Sequence, residues 1–246
     1  MFKFISGTCC SIYVILFCVF PAHAGIVVGG TRFIFNGDQD SISFQVKNTS
    51  ANVYLVQTKI FSGNDDEGNN NAHDKVHEVP FIATPMLFRL KPLRDNYVRI
   101  LKVPGQLPQD RETLFWLTIA GIPASQDAKE NNIVQIAVRN KMKLFYRPKN
   151  LPGNPKDAYK SLAWSRQGKT ITVKNPTPYF VTLLTLTVNG QNIARPGMVA
   201  PYSSLSQSWC PEAGSCDIQW QAINDYGAAT PILHSRFWQV NADDHF

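Results

Sequence analysis

The sequence predicts an all-β chain folded as two β-sandwich domains in series, and three observations carry that prediction. Short apolar runs alternate with polar residues at the period of a half-buried strand. Turn formers such as Asn36-Gly37 and Asn189-Gly190 fall between the runs. A segment with three prolines and a glycine, residues 148–157, interrupts the chain beyond its middle. No long stretch shows helical periodicity.

Residues 1–24 have the layout of a secretory signal peptide: one cation at Lys3, an apolar stretch over residues 12–20, then Pro21-Ala22-His23-Ala24. The apolar core is too short to span a bilayer, and Ala-His-Ala is the small-x-small pattern of a cleavage site, so the mature chain is expected to begin at Gly25. No later window is apolar enough to insert into a membrane. Alternation is clearest at residues 41–47, where Ile42, Phe44 and Val46 share one face. Strands are also expected at residues 53–61, 97–103, 114–119, 133–145, 170–173, 180–188 and 218–222. The proline-rich segment splits the mature chain into residues 25–148 and 149–246, about 120 and about 100 residues, each the size of one immunoglobulin-like sandwich. Residues 62–77, rich in Asn and Asp, read as a loop between strands.

Cleavage removes Cys9, Cys10 and Cys18 and leaves Cys210 and Cys216, separated by turn formers. In an oxidising compartment that pair predicts one short structural disulfide, and two thiolates are too few to hold zinc. The chain has 24 basic and 18 acidic residues; without Lys3 the net charge is 23 against 18, or +5, and the pI is near 9.1. The cations are scattered, which with export argues against nucleic acid as a partner. His73, Asp74, His77 and Glu78 form the densest His-acid cluster, but a zinc protease helix needs glutamate directly after the first histidine, where Asp74 stands. No glycine-flanked nucleophile elbow accompanies the serines, so nothing supports an enzyme.

Residues 132–148, just before the proline-rich segment, are long for one strand, and Val134, Ile136 and Val138 project from a single face. Such a row either enters an apolar groove of another protein or fills the first domain's own core, and periodicity alone favours the core. Lys143 has the opposite parity, which calls for a twist or bulge before it, or a side chain that reaches around the strand.

Lys-Leu-Phe-Tyr-Arg-Pro at residues 143–148 resembles the signature that ends the first domain of periplasmic chaperones in the chaperone-usher pilus pathway. Thr31-Arg32, Ile-Ala-Thr-Pro at 82–85, Leu-Pro-Gln-Asp-Arg-Glu-Thr-Leu-Phe at 107–115, Asn-Pro-Thr-Pro-Tyr at 175–179 and Ile-Asn-Asp-Tyr-Gly at 223–227 resemble that family in the same order. The resemblance implies two immunoglobulin-like β-sandwich domains at an angle with a cleft between them. It implies that Arg32 and Lys143 anchor the C-terminal carboxylate of a pilus subunit, that a strand carrying Val134, Ile136 and Val138 completes the subunit's open sandwich, and that Glu112, Arg147 and Asp225 form an ion network across the domains. Thr84, Pro85 and Arg99 match the surface that docks on the outer-membrane usher, although Met86 stands where a second proline is common. The short link over residues 119–133 resembles the branch serving rigid composite pili, of which the Cys210 and Cys216 pair is not a general feature. No cofactor or metal is implied, and the free protein could cap its own exposed strand in an oligomer. The competing reading is an exported adhesin or pilus subunit, which should carry an alternating apolar N-terminal extension and lack a second domain.

Overall fold

The computed structural model describes residues 25–63, 79–124 and 136–239. The expected signal peptide, most of the Asn-rich loop with His73 and His77, and Val134 lie outside them.

The first sandwich is built from β1 (Ile26–Val28), β2 (Arg32–Asn36), β3 (Ser41–Asn48), β4 (Tyr54–Ser62), β5 (Phe81–Thr84), β6 (Leu87–Leu90), β7 (Asp95–Lys102), β8 (Thr113–Pro123) and β9 (Val138–Arg147). One sheet has the order β1-β3-β7-β5, the other β2-β9-β8-β4-β6. The first strand therefore changes sheets at Gly29-Gly30-Thr31: β1 pairs antiparallel with β3, and β2 runs parallel to β9. Between the sheets Phe35, Val46, Val56, Val98, Ile100, Leu117, Ile119 and Leu144 are wholly buried.

The second sandwich comprises β10 (Ala163–Gln167), β11 (Thr170–Lys174), β12 (Val181–Val188), β13 (Gln191–Asn192), β14 (Met198–Val199), β15 (Ser204–Gln207), β16 (Gly214–Ala222) and β17 (Leu233–Gln239). Its sheets run β10-β11-β15 and β13-β12-β16-β17, with β14 also on β12. Cys210 and Cys216 form a disulfide inside its core.

Both domains knit a strand end to the core with one buried asparagine. Asn48 donates to the carbonyls of Asn52, Leu90 and Lys91 and accepts from Ser50. Asn175 donates to Tyr179, Val199 and Ala200 and accepts from Thr177. Each amide thereby satisfies backbone groups whose burial would otherwise cost free energy.

The sequence reading is corrected at three places. The proline-rich segment does not run on as linker to residue 157, because a 3-10 helix, Pro155–Ser161, starts there and buries Ala158 and Tyr159 against the second core. Asn154 caps it by accepting from the Lys156 N–H. The strand expected over residues 133–145 is β9, Val138–Arg147, so it runs two residues further at its end and does not include residues 136 and 137, while residues 133–135 lie outside the described ones. No bulge or reach-around brings Lys143 into place: β8 and β9 keep unbroken register from Gly121↔Val138 to Thr113↔Tyr146. Met142, Leu144 and Tyr146 face the first core, while Lys143, Phe145 and Arg147 face the second domain.

Val138 and Ile136 continue the row of Met142 and Leu144 past the end of that core, with 59% and 72% of their surfaces exposed. They do not fill this chain's own interior, the role that periodicity favoured. Leu144→Ala should lower unfolding free energy by about 2–5 kcal/mol, whereas Ile136→Ala should stay within about 0.5 kcal/mol of wild type, as read by urea denaturation.

Candidate functional site at the domain junction

The parallel register of β2 on β9 pairs Arg32 with Lys143, Phe33 with Leu144, Phe35 with Tyr146 and Asn36 with Arg147. Phe35 must lie inside with Leu144 and Tyr146, so Arg32 and Lys143 emerge side by side on the opposite face. There the second domain receives them. Arg32 Nη1 donates to the carbonyls of Ile223 (2.6 Å) and Asn224 (2.9 Å), and Nη2 to Thr182 Oγ1 (2.9 Å). Lys143 Nζ donates to the same hydroxyl at 3.2 Å. The guanidinium also lies 5.1 Å from the centroid of Phe145.

Two cations thus converge on one neutral oxygen, and among the described residues neither has a carboxylate within ion-pair distance. Burial first, and then the Arg32 charge, lower the Lys143 pKa to about 8. Burial likewise lowers that of Arg32, with Asp225 and Glu112 opposing. A partly buried guanidinium and ammonium with spare donors are suited to one anion, above all a carboxylate. Among the described residues no group of three or more His, Cys, Asp or Glu could hold a metal ion.

Four residues along β9 from Lys143, at Arg147, the same face carries an ion cluster. Arg147 Nε meets Glu112 Oε1 at 2.6 Å, and its Nη1 and Nη2 grip both oxygens of Asp225 at 2.8 and 3.0 Å. Glu112, only 4% exposed, also accepts from the Phe180 N–H at 2.7 Å through Oε2 and donates its own N–H to Pro178 O. Burial pushes the Glu112 carboxyl above its ordinary value, against the pull of Arg147 and the Phe180 N–H. Burial disfavours the Arg147 charge, and Asp225 and Glu112 more than restore it. Phe145 packs on Phe180, ring centroids 5.4 Å apart, and Arg147 lies over Tyr179. A cavity of about 270 Å³ opens beside this joint, with Arg32, Arg147, Tyr159, Phe180 and Tyr226 in its wall.

The structure therefore brings Arg32 to Lys143, and Glu112 and Asp225 to Arg147. Sequence reasoning missed Thr182, an unremarkable member of an alternating run whose contact with Arg32 spans 150 positions. Among the described residues, β8 pairs with β9 from Val138 to Tyr146, whereas the ladder of β2 on its other side covers Lys143 to Arg147. Beyond the β2 ladder, β9 borders a groove formed by Ile26, Val27 and Val28 on one wall and Asn140, Lys141 and Met142 on the other.

Thr84, Pro85 and Arg99 sit elsewhere on the first domain. Thr84 and Arg99 are exposed partners across β5 and β7, and Pro85 O accepts from Thr58 Oγ1 at 2.8 Å. The next residues along the chain, Met86 and Leu87, are exposed and apolar, and on the outer face of the other sheet Leu55 faces Ile122 across β4 and β8.

Residues 25–152 match the family described as "Pili and flagellar-assembly chaperone, PapD N-terminal domain". Residues 157–233 match "Pili assembly chaperone PapD, C-terminal domain". The fimbrial chaperone YcbF of Escherichia coli K12, itself described as uncharacterized, is 42% identical over 206 residues, 83% of this chain and 85% of its own. Chaperone protein LpfB of Salmonella typhimurium is 37% identical over 216 residues, 86% and 89% of the two chains. Among solved structures, the Salmonella enterica SafA pilin in complex with the SafB chaperone gives a TM-score of 0.74 at 28% identity, covering 86% of this chain and 95% of that one. The E. coli chaperone DraB gives 0.71 at 31%, covering 86% and 95%.

Two outcomes are expected of the free protein. Removing the guanidinium in Arg147→Ala strands two carboxylates, one fully buried, and should destabilise the fold by roughly 3–5 kcal/mol in urea titration. For Lys143 the folded pKa, about 8, lies below the ordinary 10.5. The penalty for holding its charge is therefore complete below pH 8, shrinks as pH rises, and is gone above 10.5. Wild type should gain stability relative to Lys143→Met across that window, with a constant difference below it.

Proposed function

The chain belongs to the family of pilus-assembly chaperones, and from that premise we propose that it is exported to the periplasm, binds pilus subunits by donating a strand of its own, and hands them to an outer-membrane usher. The observation that carries this reading is a strand that, among the described residues, extends past its ladder with β2 and runs directly into a cation pair with no carboxylate in ion-pair distance. Val138 and Ile136 stand exposed on that strand, with Val134 next in the row. Main-chain pairing along an open edge supplies affinity with little sequence demand, while alternate side chains fill the pockets of an incomplete sandwich.

The subunit's C-terminal carboxylate then lies between Arg32 and Lys143 and takes up the donors that Thr182 leaves unused. Such binding favours the ammonium form of Lys143, so it strengthens below about pH 8. The ion cluster of Glu112, Arg147 and Asp225 holds the two sandwiches, residues 25–148 and 149–246, in the orientation that places anchor and donor strand on one line. Usher docking falls to Thr84, Pro85 and Arg99, extended by the adjoining Met86 and Leu87, because exposed apolar residues beside polar groups fit a transient protein contact. In the free state the open edge is an aggregation hazard that a second copy of the chain can cap. The competing assignment, a strand-receiving subunit, does not fit a chain that carries both domains of the chaperone family.

Co-purification from periplasm tests the mechanism. Wild type should recover a soluble one-to-one complex with a co-expressed pilus subunit, and Arg32→Ala/Lys143→Ala should fold but recover none. Equal retention by both proteins would remove the anchor from the mechanism.

A further inference from the structure

The β14–β15 connection turns through Ala200, Pro201, Tyr202 and Ser203, closed by the Ser203 N–H on Ala200 O at 3.4 Å. Pro201 occupies the second position, and Tyr202 the third with φ +54°. A proline followed by a residue of positive φ is the arrangement of a type II turn, where glycine or asparagine belongs at the third position and a tyrosine is strained. Strain of this kind persists where the surroundings use it.

What the strain achieves is reach. The Tyr202 ring lies 5.1 Å from the Arg111 guanidinium of the first domain, and its hydroxyl donates to Asp110 O at 3.4 Å. Arg111 is itself held by Asp110, through Nη2 at 2.6 Å. The next residue is Glu112, the buried carboxylate of the ion cluster. Tyr202 is 43% exposed, and both of its contacts lie at the rim of the joint, where neither a cation over a ring nor a long hydrogen bond adds much stability. The contribution left for so strained a residue is geometric.

We propose that Tyr202 is a further tether of the domain joint, a positioning residue that fixes the orientation of the two sandwiches by holding Asp110 and Arg111 beside Glu112. It deepens the function proposed above, and rests on it only for the effect on subunit binding. The ion cluster, the Arg32 and Lys143 donors and Phe145 on Phe180 join β2 and β9 to the second domain, and Glu112 meets that domain at Pro178 and Phe180. Tyr202 adds a contact with Asp110 and Arg111 from a different turn of the second domain, and so limits rocking about those attachments.

The test uses the free full-length mature protein with spin labels on cysteines introduced at the exposed positions Lys47 and Gln191, one in each domain. Wild type should give one narrow distance distribution. Tyr202→Gly, which relieves the turn and removes the ring, should melt no lower than wild type yet give a clearly broadened distribution. Arg111→Ala, which leaves the turn untouched, should broaden it too, and Tyr202→Phe, which keeps the ring over Arg111, should stay narrow. A narrow distribution in either Tyr202→Gly or Arg111→Ala overturns the tether, as does a Tyr202→Gly protein that fails to fold. Tyr202→Gly should also retain co-expressed pilus subunit several-fold less well with its anchor intact. If no form of the chain retains subunit, the proposed function fails, while the distances in the free protein still decide the tether.

Discussion

The rest of the molecule depends on the parallel register between β2 and β9. Phe35, Leu144 and Tyr146 must all be inside the first sandwich, and a slip of β2 by one residue would bury Arg32 and expel Phe33 and Phe35. The hydrophobic core therefore decides where Arg32 and Lys143 stand, although neither contributes to it. Placing two like charges together carries an electrostatic penalty that the second domain only partly relieves, by offering one hydroxyl and two carbonyls. β9 consequently does three things in ten residues. Met142, Leu144 and Tyr146 close the core, Lys143, Phe145 and Arg147 meet the second domain, and among the described residues its first half extends past the β2 ladder.

Much of the architecture was legible in the sequence where one strand face is dry and the other wet. Residues 41–47 show it plainly, and β3 covers them with Phe44 and Val46 buried. Legibility ended where both faces are covered or where the strand is only a few residues long. In β2 each of Arg32, Phe33 and Ile34 is partly buried, so no alternation marks it, and β5, β6 and β10 are too short to show a period. The parity of Lys143 misled for the same reason. Its face looks like a solvent face in the sequence, and a second domain lies against it in the fold.

The site itself divides in the same way. Arg32, Lys143, Glu112, Arg147 and Asp225 drew attention through motif resemblance, and spacing alone gave no reason to join Glu112 to Asp225. Thr182, Phe180 and the carbonyls of Ile223 and Asn224 had no signal, because a backbone oxygen and a hydroxyl become recognition groups only when the fold turns them toward a charge. Tyr202 left a fainter trace: an aromatic residue directly after Pro201 in a turn is a local choice that turn chemistry does not favour.

The open half of β9 and the cation pair at its inner end are parts of one rigid strand, about five residues, or roughly 17 Å, from Val138 to Lys143. That fixed interval acts as a ruler with its zero at the charges. Since side chains change face with every residue, a partner chain that ends at the zero mark can present its apolar row in one phase only. Adding a single residue to its end would turn the row to the wrong side without altering any composition. What such a ruler measures is where a partner's sequence stops, a property that no local motif in the partner could disguise.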